Sequence, residues 1–281
     1  MQDDRRPTHG AAKRRRRMTL TRRSATVAVV AATVLLVSSL VALAAVGVGG
    51  MRDVAPGNTE YDGRFVFVRL SYEMGLRGGA GGAFFRGRDL PWAHDYPRAE
   101  RNLTKIIDDV THVDPFQGPN GGNVFASGDS ELHKFPFAYM SEPGYWTQTD
   151  AEAEGLRDYL LKGGFLIFDD FRGEHWDNFE AQLRRVLPDA RLVELDVSHP
   201  VFHSFFEIKT LEMAEMYPGY TPSFYGVFEE NDPDARLMIV ANYNNDIGEY
   251  WEYSDTGWLP IDLTNEAYKF GVNYVMYAMT H

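Results

Sequence analysis

The chain has 281 residues, of which 44% are apolar and 24% are charged, and its net charge is −12. This composition is typical of a globular protein and excludes the disordered, collagen-like and disulfide-rich classes. Because the chain has no cysteine, it has no thiol nucleophile, no cysteine-ligated zinc and no iron–sulfur cluster.

The charge is unevenly distributed along the chain. Residues 1–24 contain nine basic and two acidic residues, a charge of +7, which leaves 19 basic and 38 acidic residues, or −19, for the rest. An acidic body of this kind repels nucleic acid, so we expect no nucleic-acid partner.

Residues 25–48 form an uncharged apolar segment. A membrane-spanning helix needs about 17–25 residues, whereas the apolar part of a signal peptide runs to about 7–15, so the length favours a transmembrane anchor. A cleaved signal segment is the alternative, because Ala42-Leu43-Ala44 has the form of a signal-peptidase site and Arg22-Arg23 weakly resembles a twin-arginine motif.

The basic leader places the body of the protein relative to the membrane. Arginine-rich flanks stay in the cytoplasm, so residues after the apolar segment are expected outside the bacterial cell membrane, either tethered through that segment or secreted after its cleavage. Residues 49–62 are polar, contain Pro and Gly, and indicate a linker to a single domain over 63–281.

Strand and helix patterns alternate through the domain. A glycine-rich segment at 75–87 matches neither a Walker loop nor a dinucleotide fingerprint, so we interpret it as a mobile surface loop rather than an anion-binding loop. The predicted strands lie at 63–70, 135–140, 165–168, 223–228 and 237–242, and the predicted helices start at Pro97, at the Thr149–Glu152 capping box, near Trp176 and near Glu266.

This alternation predicts an α/β fold with a mainly parallel sheet and helices on both faces. Ligands in such folds bind beyond the carboxyl ends of the strands. Asp169 and Asp170 end the apolar strand Phe165–Phe168, so they are candidate catalytic residues. The alternative is structural: one of them faces the crevice while the other caps the next helix or pairs with Arg172.

His199 is a third candidate catalytic residue, since it opens a His-Pro turn that we expect near the same edge as Asp169 and Asp170. The alternative is that it bonds to the backbone of its own turn.

Aromatic, amide and carboxylate groups are dense in two further segments, and such groups suit saccharide or peptide ligands. The candidate ligand-binding residues there are Trp92, His94, Asp95, Asn245, Asp246, Trp251 and Glu252, although packing of these loops against the core is an equal alternative.

Five segments carry a family resemblance: WAHDYPRAERNL, FPFAYMSEPGYW, LRDYLLKGGFLIFDDFRG, HPVFHSF and YKFGVNYVMYAMTH. Together they resemble a bacterial family of domains of unknown function, DUF4159. The LRDYLLKGGFLIFDD segment followed by His199-Pro200 is also distantly similar to the class I glutamine-amidotransferase-like superfamily, in particular its trehalose-utilisation branch. That similarity implies a flavodoxin-like fold, with Asp169-Asp170 where amidotransferases approach their cysteine nucleophile.

Two functions follow as hypotheses. The first is a membrane-anchored extracytoplasmic domain that binds a ligand or a protein partner and lacks the cysteine nucleophile; a purely structural component of the cell envelope is not distinguishable from it by sequence. The second is a non-thiol hydrolase, metal-assisted or not, acting on a cell-envelope saccharide or ester. The sequence assigns no particular metal or cofactor.

Overall fold

A computed structural model of the protein describes residues 57–74, 90–212 and 217–281. The predicted leader, apolar segment and glycine-rich loop lie outside these residues. Within them, no helix combines the length and the apolar character that crossing a membrane requires. The fold below belongs to the unit Val54–His281.

The described residues contain short strands and five α-helices. The strands are β1 (Phe67–Ser71), β2 (Glu73–Met74), β3 (Gly122–Ala126), β4 (Phe137–Ser141), β5 (Trp146–Thr147), β6 (Phe165–Phe171), β7 (Val193–Glu194), β8 (Ser223–Phe228) and β9 (Leu237–Tyr243). The helices are α1 (Arg98–Val110), α2 (Asp150–Leu161), α3 (His175–Val186), α4 (Ile247–Glu252) and α5 (Ile261–Thr280).

Seven strands form one sheet in the order β3-β1-β4-β6-β9-β8-β7. The neighbours from β3 to β9 pair in parallel, whereas β8 is antiparallel to both β9 and β7. The strands β2 and β5 form a separate antiparallel pair. The prediction of an α/β fold with a mainly parallel sheet is therefore confirmed, with β8 as the antiparallel exception.

Helices cover both faces of this sheet. Strand residues alternate between two cores: in β4, Phe137 and Tyr139 belong to one, and Ala138 and Met140 to the other. The first core also contains side chains of α1, α4 and α5, and the second those of α2 and α3. Strands that are buried on both faces have nearly continuous apolar sequences, as β6 does before it reaches Asp169.

Local signals located most of the elements. The capping box is present, with the Thr149 side chain accepting from the Glu152 amide and the Glu152 carboxylate accepting from the Thr149 amide. The last helix was expected near Glu266 but begins at Ile261, directly after Pro260. The strand β3 was not predicted from the sequence.

The strands β4, β6 and β9 end side by side at the carboxyl-terminal edge of the sheet. Between Phe168 and Phe171, β6 has one residue more than the facing stretch of β9, which is a β-bulge. Bulges often occur next to functional sites because they redirect side chains. The bulge contains Asp169 and Asp170, so two adjacent carboxylates point in different directions.

Candidate functional site

Five acidic side chains from separate segments surround the ends of the central strands. Glu142 follows β4, Asp170 lies in the β6 bulge, Asp246 and Glu249 lie at the start of α4, and Asp95 lies in the loop before α1. These five residues are called the acidic cluster below. His94 lies among them, and its side chain is 42% exposed, so the cluster has an open side.

Three members of the cluster have backbone conformations that are uncommon for non-glycine residues. The φ angles are 65° at Asp95, 48° at Glu142 and 58° at Asp170. A left-handed conformation costs about 1–3 kcal/mol at such a residue, and residues of this kind concentrate at functional sites. The chain therefore gives up stability to place these three carboxylates.

Asp169 lies behind the cluster and is completely buried. Its Oδ2 accepts hydrogen bonds from the Tyr139 hydroxyl and the Gly248 amide, both at 2.8 Å, and its Oδ1 accepts one from Asn242 at 3.1 Å. Burial raises the pKa of Asp169 to about 6, although these hydrogen bonds act to lower it. Asp169 thus ties β4, β9 and α4 together, a structural role that differs from the predicted helix cap or Arg172 pair, and its catalytic role stays a prediction.

Asp170 faces the cluster. Its Oδ2 lies 2.5 Å from Nδ1 of His94 and 3.4 Å from the Ser141 hydroxyl, and its Oδ1 accepts a hydrogen bond from the Tyr217 hydroxyl. The hydrogen bond to Asp170 raises the pKa of His94 to about 10, against the opposing effect of burial. Asp170 and His94 therefore form an ion pair at neutral pH. Asp170 does not cap α3, whose N-cap is Glu174 without a side-chain bond.

Asp95 is the least satisfied of the five carboxylates. Its side chain is fully buried, and among the described residues neither oxygen has a hydrogen-bond donor other than the carboxyl group of Glu249. Its closest cation is His94, whose Nε2 lies 3.9 Å from Oδ1. Burial and the neighbouring Asp170 raise the pKa of Asp95 well above its usual value. A buried carboxylate without a partner is costly unless it takes a proton or a cation.

The other three members have similar environments. Asp246 caps α4 through the Glu249 amide at 3.0 Å and accepts a hydrogen bond from Tyr217 at 3.1 Å. Burial, with the charges of nearby carboxylates, raises the pKa of Asp246 well above its usual value and that of Glu142 to about 8. Burial also raises the pKa of Glu249, which lies close enough to Asp95 for the two carboxyl groups to share a proton.

Two arginines near the cluster are engaged elsewhere. Arg69 in β1 is buried and ion-paired with Glu100, and it donates to the carbonyl oxygens of Trp92 at 3.0 Å and His94 at 2.7 Å. It therefore holds the loop that presents His94 and Asp95. The guanidinium of Arg172 lies 3.9 Å from the centre of the Tyr217 ring, a cation–π contact, rather than on Asp169 or Asp170.

The cluster brings carboxylate oxygens close enough to share one cation. One oxygen each from Asp95, Asp170 and Asp246 lie within 4.8 Å of one another, and all three residues are buried. His94 with Glu142 and Asp170, and His94 with Asp95 and Glu249, meet the same limit. Two ionised carboxylates 4.8 Å apart repel by about 3.5 kcal/mol at an effective dielectric constant of ~20. Protons or a bound cation must offset this repulsion.

Four predicted site residues therefore come together in the structure: His94, Asp95, Asp170 and Asp246. The remaining ligand-binding candidates make other contacts, and their role in ligand binding stays a prediction. Trp251 is buried and donates to the Ala267 carbonyl, Asn245 accepts from the Asp246 amide, Trp92 packs against the second core, and the Glu252 carbonyl accepts from Asn102.

His199 does not join the cluster. Its ring packs against Phe228 and Tyr277, and its Nδ1 accepts from the Val201 amide. Phe228 pairs with Leu237, the first residue of β9, so His199 lies towards the amino-terminal edge of the parallel strands. The prediction that His199 lies near Asp169 and Asp170 was wrong, because the chain turns back after β7. His199 instead lines a cavity of about 630 Å³ together with Arg236 and Tyr277.

Four residues of the site were missed by the sequence reasoning. Glu142 directly follows a predicted strand, and Arg69 is a charged residue inside an apolar strand, so both carried a usable signal. Glu249 follows the predicted Asp246 by one turn of helix. Tyr217 lies in an irregular segment, and no local pattern indicates its contacts with Asp170 and Asp246.

Comparisons with known proteins bear on the whole domain. No curated protein matches the chain. The family model described as "Domain of unknown function (DUF4159)" matches residues 67–279, from the first strand of the sheet to the last turn of α5. The match covers most of the chain, including four of the five segments that resembled this family and the fifth up to Met279, so the chain belongs to the DUF4159 family.

Proposed function

We propose that the protein is a ligand-binding domain whose acidic cluster binds a cationic ligand. The observation that carries this proposal is the carboxylate of Asp95, which is fully buried and whose only hydrogen-bonding neighbour among the described residues is another acid, Glu249. A cation in contact with Asp95 would supply the missing partner and offset the repulsion within the cluster.

The surroundings of Asp95 support the same function. Five carboxylates face one imidazole, and the nearby arginines Arg69 and Arg172 interact with Glu100 and Tyr217 instead. Three of the five acids have left-handed backbones, a cost that a purely structural site does not explain. The open side at His94 gives a ligand access to the cluster.

The location of this function is part of the proposal. The apolar segment 25–48 has the length of a membrane anchor and follows a basic leader, so we place the binding domain on the outer side of a bacterial membrane. Secretion after cleavage at Ala42-Leu43-Ala44 is the alternative. In either location the ligand, or a saccharide or protein partner, belongs to the cell envelope or the medium.

The scaffold is also proposed at a finer level than the α/β class. Its strand β6 leads into the site, as the nucleophile strand does in the flavodoxin-like, class I glutamine-amidotransferase-like fold that the sequence resembles. Asp169 and Asp170 stand at this strand end, and the chain has no cysteine. Any chemistry at this position is therefore independent of a thiol.

Hydrolysis is the second candidate function, and the contact between His94 and Asp170 favours it. A carboxylate-paired imidazolium on the open side of a site can donate a proton to a leaving group, and a cation bound at the neighbouring carboxylates would lower the pKa of an attacking water. The substrate would be a saccharide or an ester of the cell envelope. Absence of turnover on p-nitrophenyl acetate and p-nitrophenyl glycosides, with the cation supplied, would count against this candidate.

Thermal unfolding tests the binding function. The full chain is kept in a mild non-ionic detergent and treated with EDTA to remove bound metal ions. Its melting temperature, Tm, is then measured from the fluorescence of its five tryptophans, alone and with CaCl₂, MgCl₂, MnCl₂, spermidine or ethanolamine added. A ligand at 100 times its Kd adds about 2.7 kcal/mol of stability, which raises Tm by roughly 5–10 °C in a domain of this size.

The matched variants are Asp95→Asn and Asp109→Asn, each of which removes one carboxylate. Asp109 is exposed near the end of α1, away from the cluster. We expect Asp95→Asn to abolish the ligand-dependent rise in Tm and Asp109→Asn to preserve it. If no cation of the panel raises Tm, the proposed function is contradicted.

A further inference from the structure

We propose that the cationic ligand is a single divalent metal ion of the hard, oxygen-preferring kind, Ca²⁺, Mg²⁺ or Mn²⁺, held by Asp95, Asp170 and Asp246. This inference rests on the proposed function, because it names the chemical class of the ligand at the same site.

The spacing of the three carboxylates fits one metal ion. Ca²⁺ holds oxygen ligands at about 2.3–2.6 Å and Mg²⁺ at about 2.0–2.1 Å, so two oxygens on one ion lie roughly 3–5 Å apart. One oxygen from each of Asp95, Asp170 and Asp246 satisfies this condition, with all three pairs within 4.8 Å. Carboxylate oxygens are also the ligands that these hard cations prefer.

The state of Asp95 indicates that this acidic triplet is more than a chance grouping. Both Asp95 oxygens are buried, and among the described residues they have no hydrogen-bond donor other than the carboxyl group of Glu249, so lone pairs are available to a metal ion when both acids are ionised. The Asp95 carboxylate also lies against Gly248, where the Cβ atom of any larger residue would come within 2.5 Å of Oδ2. Glycine at this position therefore leaves the space that the Asp95 carboxylate occupies.

Tyr217 orients the other two ligands. Its hydroxyl lies in hydrogen-bonding reach of Oδ1 of Asp170 and Oδ2 of Asp246, and Arg172 stacks on its ring. Residues that hold metal ligands in this way are a regular part of protein metal sites. Tyr217 has one hydroxyl proton and donates it to one of the two aspartates at a time, and the carboxylate oxygen that accepts it keeps a second lone pair for a metal ion.

Burial distinguishes a metal ion from an organic cation at this point. Asp95 and Asp170 are each 4% exposed and Asp246 is 3% exposed. A metal ion is a single atom, whereas an amine also brings a carbon chain, which three buried side chains would have to accommodate. Three carboxylates also match a divalent charge better than a single ammonium group.

Isothermal titration of the EDTA-treated full chain in mild detergent with CaCl₂, MgCl₂ or MnCl₂ tests the inference. We expect one ion per chain for at least one of the three salts. Asp95→Asn and Asp246→Asn should each weaken binding at least 100-fold. Both substitutions preserve the local structure, because asparagine tolerates the left-handed backbone and also serves as a helix N-cap.

Two controls fix the position of the ion. Asp109→Asn should bind as the natural chain does. Glu142→Gln should weaken binding by less than tenfold, because Glu142 belongs to a different triplet, with His94 and Asp170. Strong loss in Glu142→Gln together with binding within threefold of the natural chain in Asp95→Asn would overturn the assignment.

The same titration separates this inference from the proposed function. If none of the three metal salts binds while spermidine or ethanolamine still raises Tm in an Asp95-dependent way, the metal assignment is overturned and the cationic-ligand function stands. If neither metals nor amines bind, both are overturned.

Discussion

The Nδ1 atom of His94 lies 2.5 Å from Oδ2 of Asp170, although the two residues are 76 positions apart in the chain. This contact joins the loop before α1 to the bulge in β6, and it supplies the one positive charge that faces the acidic cluster directly among the described residues. The imidazolium offsets only one of five carboxylates. The remaining excess negative charge underlies each prediction below.

Replacing His94 tests its role as the internal counter-charge. In the presence of EDTA, His94→Gln should lower the free energy of unfolding by about 1.5–3 kcal/mol, the range for a hydrogen bond to a charged group. Denaturation of the full chain in urea measures this loss. The exposed His112→Gln is the matched control and should show no change. Equal stabilities for the two variants would contradict the ion pair.

Replacing Asp95 should have the opposite effect on stability. Asp95→Asn removes a buried carboxylate whose hydrogen-bonding neighbour among the described residues is a second acid, Glu249, and asparagine adopts positive φ readily, so the cation-free protein should gain about 1–2 kcal/mol. The same substitution should abolish cation binding, because the carboxylate that destabilises the cation-free protein is also the one that binds the cation. A variant that is less stable than the natural chain in EDTA would show that Asp95 has a structural partner.

Stability of the cation-free protein should fall as the pH rises. Burial raises the pKa of Glu142 from 4.5 to about 8, so between these values the folded state binds a proton that the unfolded state has released. The free energy of unfolding therefore decreases with rising pH over that window. The raised pKa of His94, from 6.5 to about 10, acts in the same direction at higher pH.

Glu142→Gln isolates the contribution of that carboxyl group. Urea denaturation in EDTA at pH 5 and pH 8 should show a smaller difference in unfolding free energy for the variant than for the natural chain. The exposed Glu154→Gln should leave the difference as it is. An unchanged difference in Glu142→Gln would mean that Glu142 does not retain its proton in the folded state.

Replacing Asp169 and replacing Asp170, the two adjacent aspartates of β6, should have different effects. Asp169→Asn places an amide among three donors, from Tyr139, Asn242 and Gly248, and should cost about 1–3 kcal/mol of stability. Asp170→Asn breaks the ion pair with His94 and should cost stability as His94→Gln does, but it should in addition weaken cation binding, which Asp169→Asn should leave unchanged. Urea denaturation and cation titration of both variants measure this contrast. Weakened cation binding in Asp169→Asn with unchanged binding in Asp170→Asn would show that Asp169, rather than Asp170, is the ligand.

The sequence predicted the parts of the fold that local patterns encode. The β6 strand and the Thr149–Glu152 capping box follow from neighbouring residues alone. The strand β3 was missed because its sequence, GNVFA, is short and begins with Gly and Asn, and its stability comes from pairing with β1. Tertiary pairing of this kind leaves no periodic signal in a single sequence.

The site residues that could be predicted from the sequence are those that lie at the ends of strands. Asp170 and Asp246 lie where a parallel sheet places its functional residues, and the same rule applied to β4 would have identified Glu142. His199 was misplaced because its position depends on how the chain turns back after β7. Tyr217 lies in an irregular segment, and no periodic pattern in the sequence predicts the conformation of such a segment or the contacts that Tyr217 makes.

The most direct test of the central claim is the titration of the EDTA-treated full chain with CaCl₂, MgCl₂ and MnCl₂, side by side with Asp95→Asn. We predict that at least one of these ions binds one per chain and that binding weakens at least 100-fold in the variant. Absence of binding by all three ions, or equal binding by the natural chain and Asp95→Asn, would contradict a metal site at Asp95, Asp170 and Asp246.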